Sequence, residues 1–175
     1  MTAVWVARPK KDADRTAPRV LIAAKGAQSG QALADLLSQF TWPASTTFTM
    51  LSVQPSLFAG QVPEWLQQQA RSPDIEEMVR HWAEQQEREM VEAETNLKNL
   101  IRRLPSPLNA CAVKLAQGDP TPQILDAIGH EPYDLVVLGA RHKRSLLDTF
   151  LGGTAEAVLS HASCSVLVVP QKESP

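Results

Sequence analysis

Three short runs of this chain are apolar at nearly every position: residues 19–24 (RVLIAA), 135–138 (LVVL) and 165–169 (SVLVV). A strand with one wet face alternates apolar and polar residues. A continuous apolar run of this length fits a strand buried on both faces, as in a parallel sheet. Parallel strands cannot be joined by tight hairpins and need crossover connections, usually helices. The sequence between the runs supplies them. After Ser29, a candidate N-cap, Leu33, Leu36, Leu37 and Phe40 recur at helical spacing, and Trp42-Pro43 ends the pattern. Residues 46–53 (TTFTMLSV) are β-branched and apolar and read as a second strand. Ser72-Pro73, followed by Asp74, Glu76 and Glu77, starts a long helix reaching about Leu104, where Pro105 and Pro107 stop it. Its middle, residues 85–89 (QQERE), is polar all round and is expected to stand off the sheet.

Cys111, Val113 and Leu115 alternate on one face of a third strand within residues 109–115. The turn Gly118-Asp119-Pro120-Thr121-Pro122 leads into a helix carrying Ile124, Leu125 and Ile128, with Gly129 as its expected C-cap. A fourth strand over 134–138, a helix over 154–160 and a fifth strand over 165–169 complete the pattern. The order β-α-β-α-β-α-β-α-β predicts an α/β fold: an open five-stranded parallel sheet, doubly wound, with helices on both faces. Such sheets bind ligands beyond the carboxyl ends of their strands, where strand order reverses. The turns after the first and fourth strands are the candidates.

With 175 residues, the chain is read as one domain over 18–170, preceded by a flexible lead-in (1–17) and followed by a short tail (171–175). Trp5 has the apolar surface to dock on the body, and the sequence leaves that open. A net charge of −2 gives no broad basic surface for nucleic acid or membrane. No apolar run approaches the roughly 20 residues of a membrane span. The N-terminus lacks a secretory core, so a cytoplasmic location is expected. Cys111 and Cys164 have no metal-ligand spacing and read as reduced core thiols. His81, His130, His142 and His161 fall on unlike elements and suggest no metal site. P-loop, dinucleotide and nucleophile-elbow patterns are all missing from the sequence.

Residues 133–170 carry the most specific signal: YDLVVLGARHKRSLLDTFLGGTAEAVLSHASCSVLVVP. A strand runs into Gly139, a basic loop (Arg141, His142, Lys143, Arg144) follows, and Gly152-Gly153-Thr154 opens a helix. Glycines at a strand end and ahead of a helix let backbone amides approach an anion. The segment resembles the C-terminal signature of the universal stress protein family. Nucleotide-binding members have a glycine ending the fourth strand, a second soon after, and a third directly before Ser or Thr. Gly139 and Gly152 keep the first and third places. His142 stands at the second, and Gly153 stands where the hydroxyl residue is expected, with Thr154 next.

The resemblance spans roughly residues 18–170. It implies the doubly wound fold and a cleft for an adenine nucleotide, ATP with or without Mg. It implies that the backbone at Val53 faces the adenine, that Gly118 lies near the base, and that the fourth-strand turn meets the phosphates. It places Lys25 where members usually carry an Asp beside the adenosine, so charge reverses there. It also implies a homodimer through the strand at 165–169.

Each assignment has a plainer counterpart. The glycines make ordinary turns, the basic run is a solvated loop, Val53 packs a strand, and Asp119 caps a helix. His142 blocks the pocket, points outward and leaves its amide available, or contacts phosphate itself, and the sequence leaves the three open. Three readings remain. The first is a stress-response regulatory protein holding an adenine nucleotide in a modified cleft. The second is a dimeric scaffold with a vestigial cleft, acting through an unidentified protein partner. The third is a slow ATPase, for which no sequence feature positions a water.

Overall fold

The computed structural model describes residues 3–8, 17–55, 73–141 and 152–171. Six strands form one sheet: β1 (Val4–Val6), β2 (Arg19–Ala23), β3 (Thr47–Gln54), β4 (Ala112–Gln117), β5 (Leu135–Arg141) and β6 (Ser165–Gln171). The helices are α1 (Ala27–Leu37), α2 (Pro73–Ile101), α3 (Pro120–His130) and α4 (Gly153–His161), with one 3₁₀ turn at Leu108–Ala110. Strand order is β1-β6-β5-β2-β3-β4. β2 to β6 are mutually parallel and β1 is antiparallel to β6. From β2 the chain winds through β3 to β4 on one side. It then crosses to β5 and β6 on the other, so order reverses between β2 and β5.

The continuous apolar runs are explained by two cores, one on each face. Val20 and Ile22 of β2 pack with Leu33 and Leu37 of α1, Met50 of β3 and Leu97 of α2. Leu21 and Ala23, pointing the other way, pack with Leu51, Ile124 and Ile128 of α3, Val136 and Val158 of α4. Strand alternation thus divides each run between two dry layers, although β3 in the same sheet also buries Thr49 and Ser52. Gly30 sets how closely α1 approaches. A Cβ there would lie 3.1 Å from both Leu100 Cδ2 and Met50 Sδ. Gly30→Val should lower stability by about 1–3 kcal/mol through overpacking. A urea unfolding midpoint equal to the parent's would count against this packing.

At the amino ends of the strands a polar cluster ties β2, β4 and β5 together. Arg19 Nη2 meets Glu131 Oε2 at 2.6 Å, and its guanidinium lies 5.2 Å from the centre of the Tyr133 ring. Lys114 Nζ pairs with the other Glu131 oxygen, and the Tyr133 hydroxyl donates to Glu131 at 3.2 Å. The Lys114 hydrogen bond holds the Glu131 carboxyl below its ordinary range and raises the Lys114 ammonium above its own. The Arg19 amide donates to Asp134 Oδ2 at 2.7 Å, so Asp134 aligns the starts of β2 and β5.

Several expectations change. Residues 4–8, assigned to a flexible lead-in, are held on the body. β1 pairs Val4 with Val168, Trp5 with Leu167 and Val6 with Val166, which makes six strands rather than five. This occupies the outer edge of β6 along Val166–Val168, the edge expected to meet a second copy. Ser29 is not an N-cap. Helix α1 starts at Ala27, and the Ser29 hydroxyl donates back to the Gly26 carbonyl at 3.2 Å. Gly129 lies inside α3, whose C-cap is Glu131. The helix α1 ends at Leu37, before Phe40 and Trp42. Trp42 Nε1 then donates to the Leu37 carbonyl at 2.8 Å, satisfying a helix-end acceptor.

Helix α2 has 29 residues, about 43 Å at 1.5 Å per residue. Its end is buried through Leu97, Leu100 and Ile101, while Gln85, Glu87, Arg88 and Glu89 are exposed as expected. Ser72, its expected N-cap, lies outside the described residues.

Candidate functional site

A crevice of about 400 Å³ opens at the carboxyl ends of the parallel strands, where strand order reverses. β2 delivers Ala23, Ala24 and Lys25, β3 delivers Leu51, Val53 and Pro55, and β5 delivers Leu138 and Gly139. The turn after β4 adds Gly118, and α4 adds Gly152, Gly153, Thr154 and Ala155. Of the residues singled out by sequence, Lys25, Val53, Gly118, Gly139, Gly152, Gly153 and Thr154 therefore converge on one cavity. Arg141 ends β5, its backbone paired in register with Gln171. His142, Lys143 and Arg144 lie outside the described residues.

Two glycines shape the rim. Gly118 has φ 111° and Gly152 φ 81°, backbone that side-chain-bearing residues rarely adopt. The Gly118 amide donates to the Gln54 carbonyl at 2.9 Å, which closes the β4 turn over the end of β3. Gly152 directs the chain into α4, whose first internal bond runs from the Glu156 amide to the Gly152 carbonyl at 3.0 Å. Among the described residues no side chain caps this helix start, and its first residues, Gly153 to Ala155, line the crevice. Helix α3 differs. Asp119 accepts from the Thr121 amide at 2.7 Å, so the plainer reading of Asp119 as a cap holds. The Thr154 hydroxyl reaches the Thr121 hydroxyl at 3.5 Å and bridges the starts of α3 and α4.

Charge in the lining is one-sided. Lys25 is exposed at the mouth, and no carboxylate lines the cavity among the described residues. Helix-start amides and a lysine favour an anion, while the floor is apolar. That floor (Ala23, Leu51, Ile124, Leu138) was not picked out from the sequence. The described residues contain no group of three or more His, Cys, Asp or Glu that could hold a metal ion. They also contain no helix long and apolar enough to cross a membrane. Cys111 and Cys164 are buried and free, away from the cavity lining.

An open, mostly parallel α/β sheet with a crevice at its switch point defines a doubly wound binding fold. The universal stress protein family profile matches residues 19–170, and the chain belongs to that family. Universal stress protein Sll1388 of Synechocystis is 34% identical over 83 residues, 47% of this chain and 54% of that protein. The chain thus aligns with about half the length of this curated relative. Hypothetical protein MJ0577 superposes with a TM-score of 0.52 at 19% identity, over 90% of this chain and 98% of its own. Universal stress protein UspA from Lactobacillus plantarum gives 0.52 at 19% identity, over 89% and 97%. At such identities these structures support the fold alone.

Proposed function

We propose that this chain is a stress-response regulatory protein of the cytoplasm that holds an adenine nucleotide, ATP, in the crevice. One observation carries the reading: a cavity of about 400 Å³ combines an apolar floor with a glycine-entered, uncapped helix start. That volume lies within the range of small-ligand sites, roughly 300–1,000 Å³. The floor suits a base and ribose. The amides of α4, with Lys25 at the mouth, suit phosphate oxygens. Arg141, His142, Lys143 and Arg144 follow the same strand and would add charge to the phosphate end. Binding then biases the protein between conformations without requiring turnover.

A second reading is favoured by Lys25 and Gly153. Lysine replaces the usual acid, and Gly153 offers no hydroxyl, as in a scaffold whose cleft is vestigial. Hydrolysis is the weakest reading, since Asp119 caps α3 and no described carboxylate lines the cavity to orient a water. The homodimer expected through residues 165–169 requires β1 to leave the edge.

Calorimetric titration of nucleotide-free protein with Mg-ATP decides between the first two readings. Saturable binding near one ATP per chain is expected, and no heat of binding up to millimolar ATP would leave the scaffold reading. Gly153→Ser should tighten binding severalfold. A Cβ at Gly153 meets nothing within 4 Å, so the added hydroxyl costs no packing. Lys143→Ala with Arg144→Ala should weaken binding without loss of fold, and unchanged affinity would remove the basic loop from the site.

A further inference from the structure

The crevice and the N-terminal segment meet on one helix. α4 has nine residues, about 14 Å in length, and only Ala155 and Val158 among them are buried. Neither is large, so the core grips this helix lightly, and a helix this short owes its order to tertiary contacts. Its first residues, Gly153 to Ala155, line the crevice. The 3.5 Å contact between the Thr154 and Thr121 hydroxyls ties that end to α3. Arg8 ties the other end to the N-terminal segment. Its Nη2 donates to the Leu159 carbonyl in the last turn of α4, and its Nη1 donates to the Cys164 carbonyl at 3.2 Å, just before β6. Arg8 is itself held, since its amide donates to Ser165 Oγ at 3.0 Å and that hydroxyl donates to the Arg8 carbonyl at 3.3 Å. A helix end leaves carbonyls without an intrahelical partner, and a cation there complements the negative end of the dipole. The Arg8 guanidinium does both for α4 and fastens its last turn to the start of β6.

We propose that Arg8 is a positioning residue for the crevice: by holding the last turn of α4, it fixes the opposite end of that helix, so that docking of the N-terminal strand and binding of nucleotide strengthen one another. The inference rests on the nucleotide reading given above. An anion at the start of α4 and a cation at its end act on the same helix dipole in the same sense. Each also orders the end it touches, so the second to bind meets a helix already partly ordered and loses less conformational entropy. The two sites lie a helix length apart, and the two states differ in the Arg8 contacts to Leu159 and Cys164. β1 suits such a device. It pairs with β6 through three residues only, and Val4 and Trp5 stay 39% and 53% exposed, so it opens more easily than the strands buried in the two cores. Arg8 thereby acts on nucleotide affinity through α4, without lining the crevice itself.

The test compares the full chain with Arg8→Ala, by calorimetric titration with Mg-ATP and by hydrogen exchange at the β1 amides, Val4 to Val6. The variant should bind Mg-ATP roughly five-fold or more weakly than the parent. Coupling between two sites is reciprocal, so saturating Mg-ATP should slow β1 exchange in the parent by a comparable factor and leave it unchanged in the variant. A residue that merely supports the fold would not produce that second result. Equal affinity in parent and variant overturns the proposal. So does β1 exchange in the parent that is indifferent to bound Mg-ATP. A parent that binds no Mg-ATP removes this inference together with the reading beneath it, whereas the two preceding outcomes leave nucleotide binding intact and strike the coupling alone. Should Arg8→Ala disturb the fold beyond β1, exchange in the parent with and without Mg-ATP carries the test by itself.

Discussion

Ile22→Ala is expected to lower the free energy of unfolding by about 2–5 kcal/mol. Ile22 sits on β2, between β3 and β5, and is 0% exposed. Its side chain belongs to the layer formed with Leu33, Met50 and Leu97, so truncation leaves a cavity bounded by a sheet and two helices. Neither can move in without pulling on strands paired from both sides. A typical domain has only about 5–15 kcal/mol in all, so the loss would be a large share. Urea unfolding should show a lower midpoint at unchanged slope, beside a near-neutral control at the exposed Val91 of α2 (Val91→Ala). A loss below about 1 kcal/mol would mean that the site collapses and that β2 is not held as described.

The second large effect is an alkaline weakening of the fold through Cys111. Burial pushes the Cys111 thiol up to about 12, a backbone hydrogen bond at Met50 pulling weakly the other way. Burial raises the Cys164 thiol in the same direction. Unfolded thiols titrate near about 8.5. Because the folded value is raised, the folded chain keeps a proton that the unfolded chain gives up. The contribution is fully present below the unfolded value and is lost as pH rises toward the folded one. Each such thiol costs roughly 1.4 kcal/mol per pH unit in that window. Unfolding curves from pH 7 to 10.5 should therefore fall less steeply for Cys111→Ala than for the parent. Parallel slopes would show that the Cys111 thiol ionises in the folded chain as readily as in the unfolded one.

Much of the architecture was legible in order and pattern. Apolar runs without alternation demanded a sheet covered on both sides, and helical spacing between them supplied the cover. Gly152 and Thr154 could be placed at a helix start; Gly139, read as a strand end, lies inside β5, which runs on to Arg141 with Gly139 paired to Val169, and all three line the crevice. The errors share a cause. Ser29 and Gly129 were read by residue preference at a helix end, but local geometry set the boundaries: α1 begins at Ala27 and α3 runs on to His130. Capping preferences are worth about a kilocalorie, less than the packing of Leu33 or Ile128 that decides where a turn continues.

The sequence by itself determined the class of fold, because the period of its apolar residues admits only strands dry on both faces joined by amphipathic helices. It also marked the turns at Gly118 and Gly152, the two glycines with positive φ among the described residues. Tertiary structure alone decided the rest. The order of strands brings the ends of β2 and β5 side by side and gathers Ala23, Leu51, Ile124 and Leu138 into one floor, residues far apart in the chain with no common pattern. It also decided the place of Val4–Val6. Three residues carry too little periodicity to announce a strand, and they become one only because β6 presents an unpaired edge for them to complete.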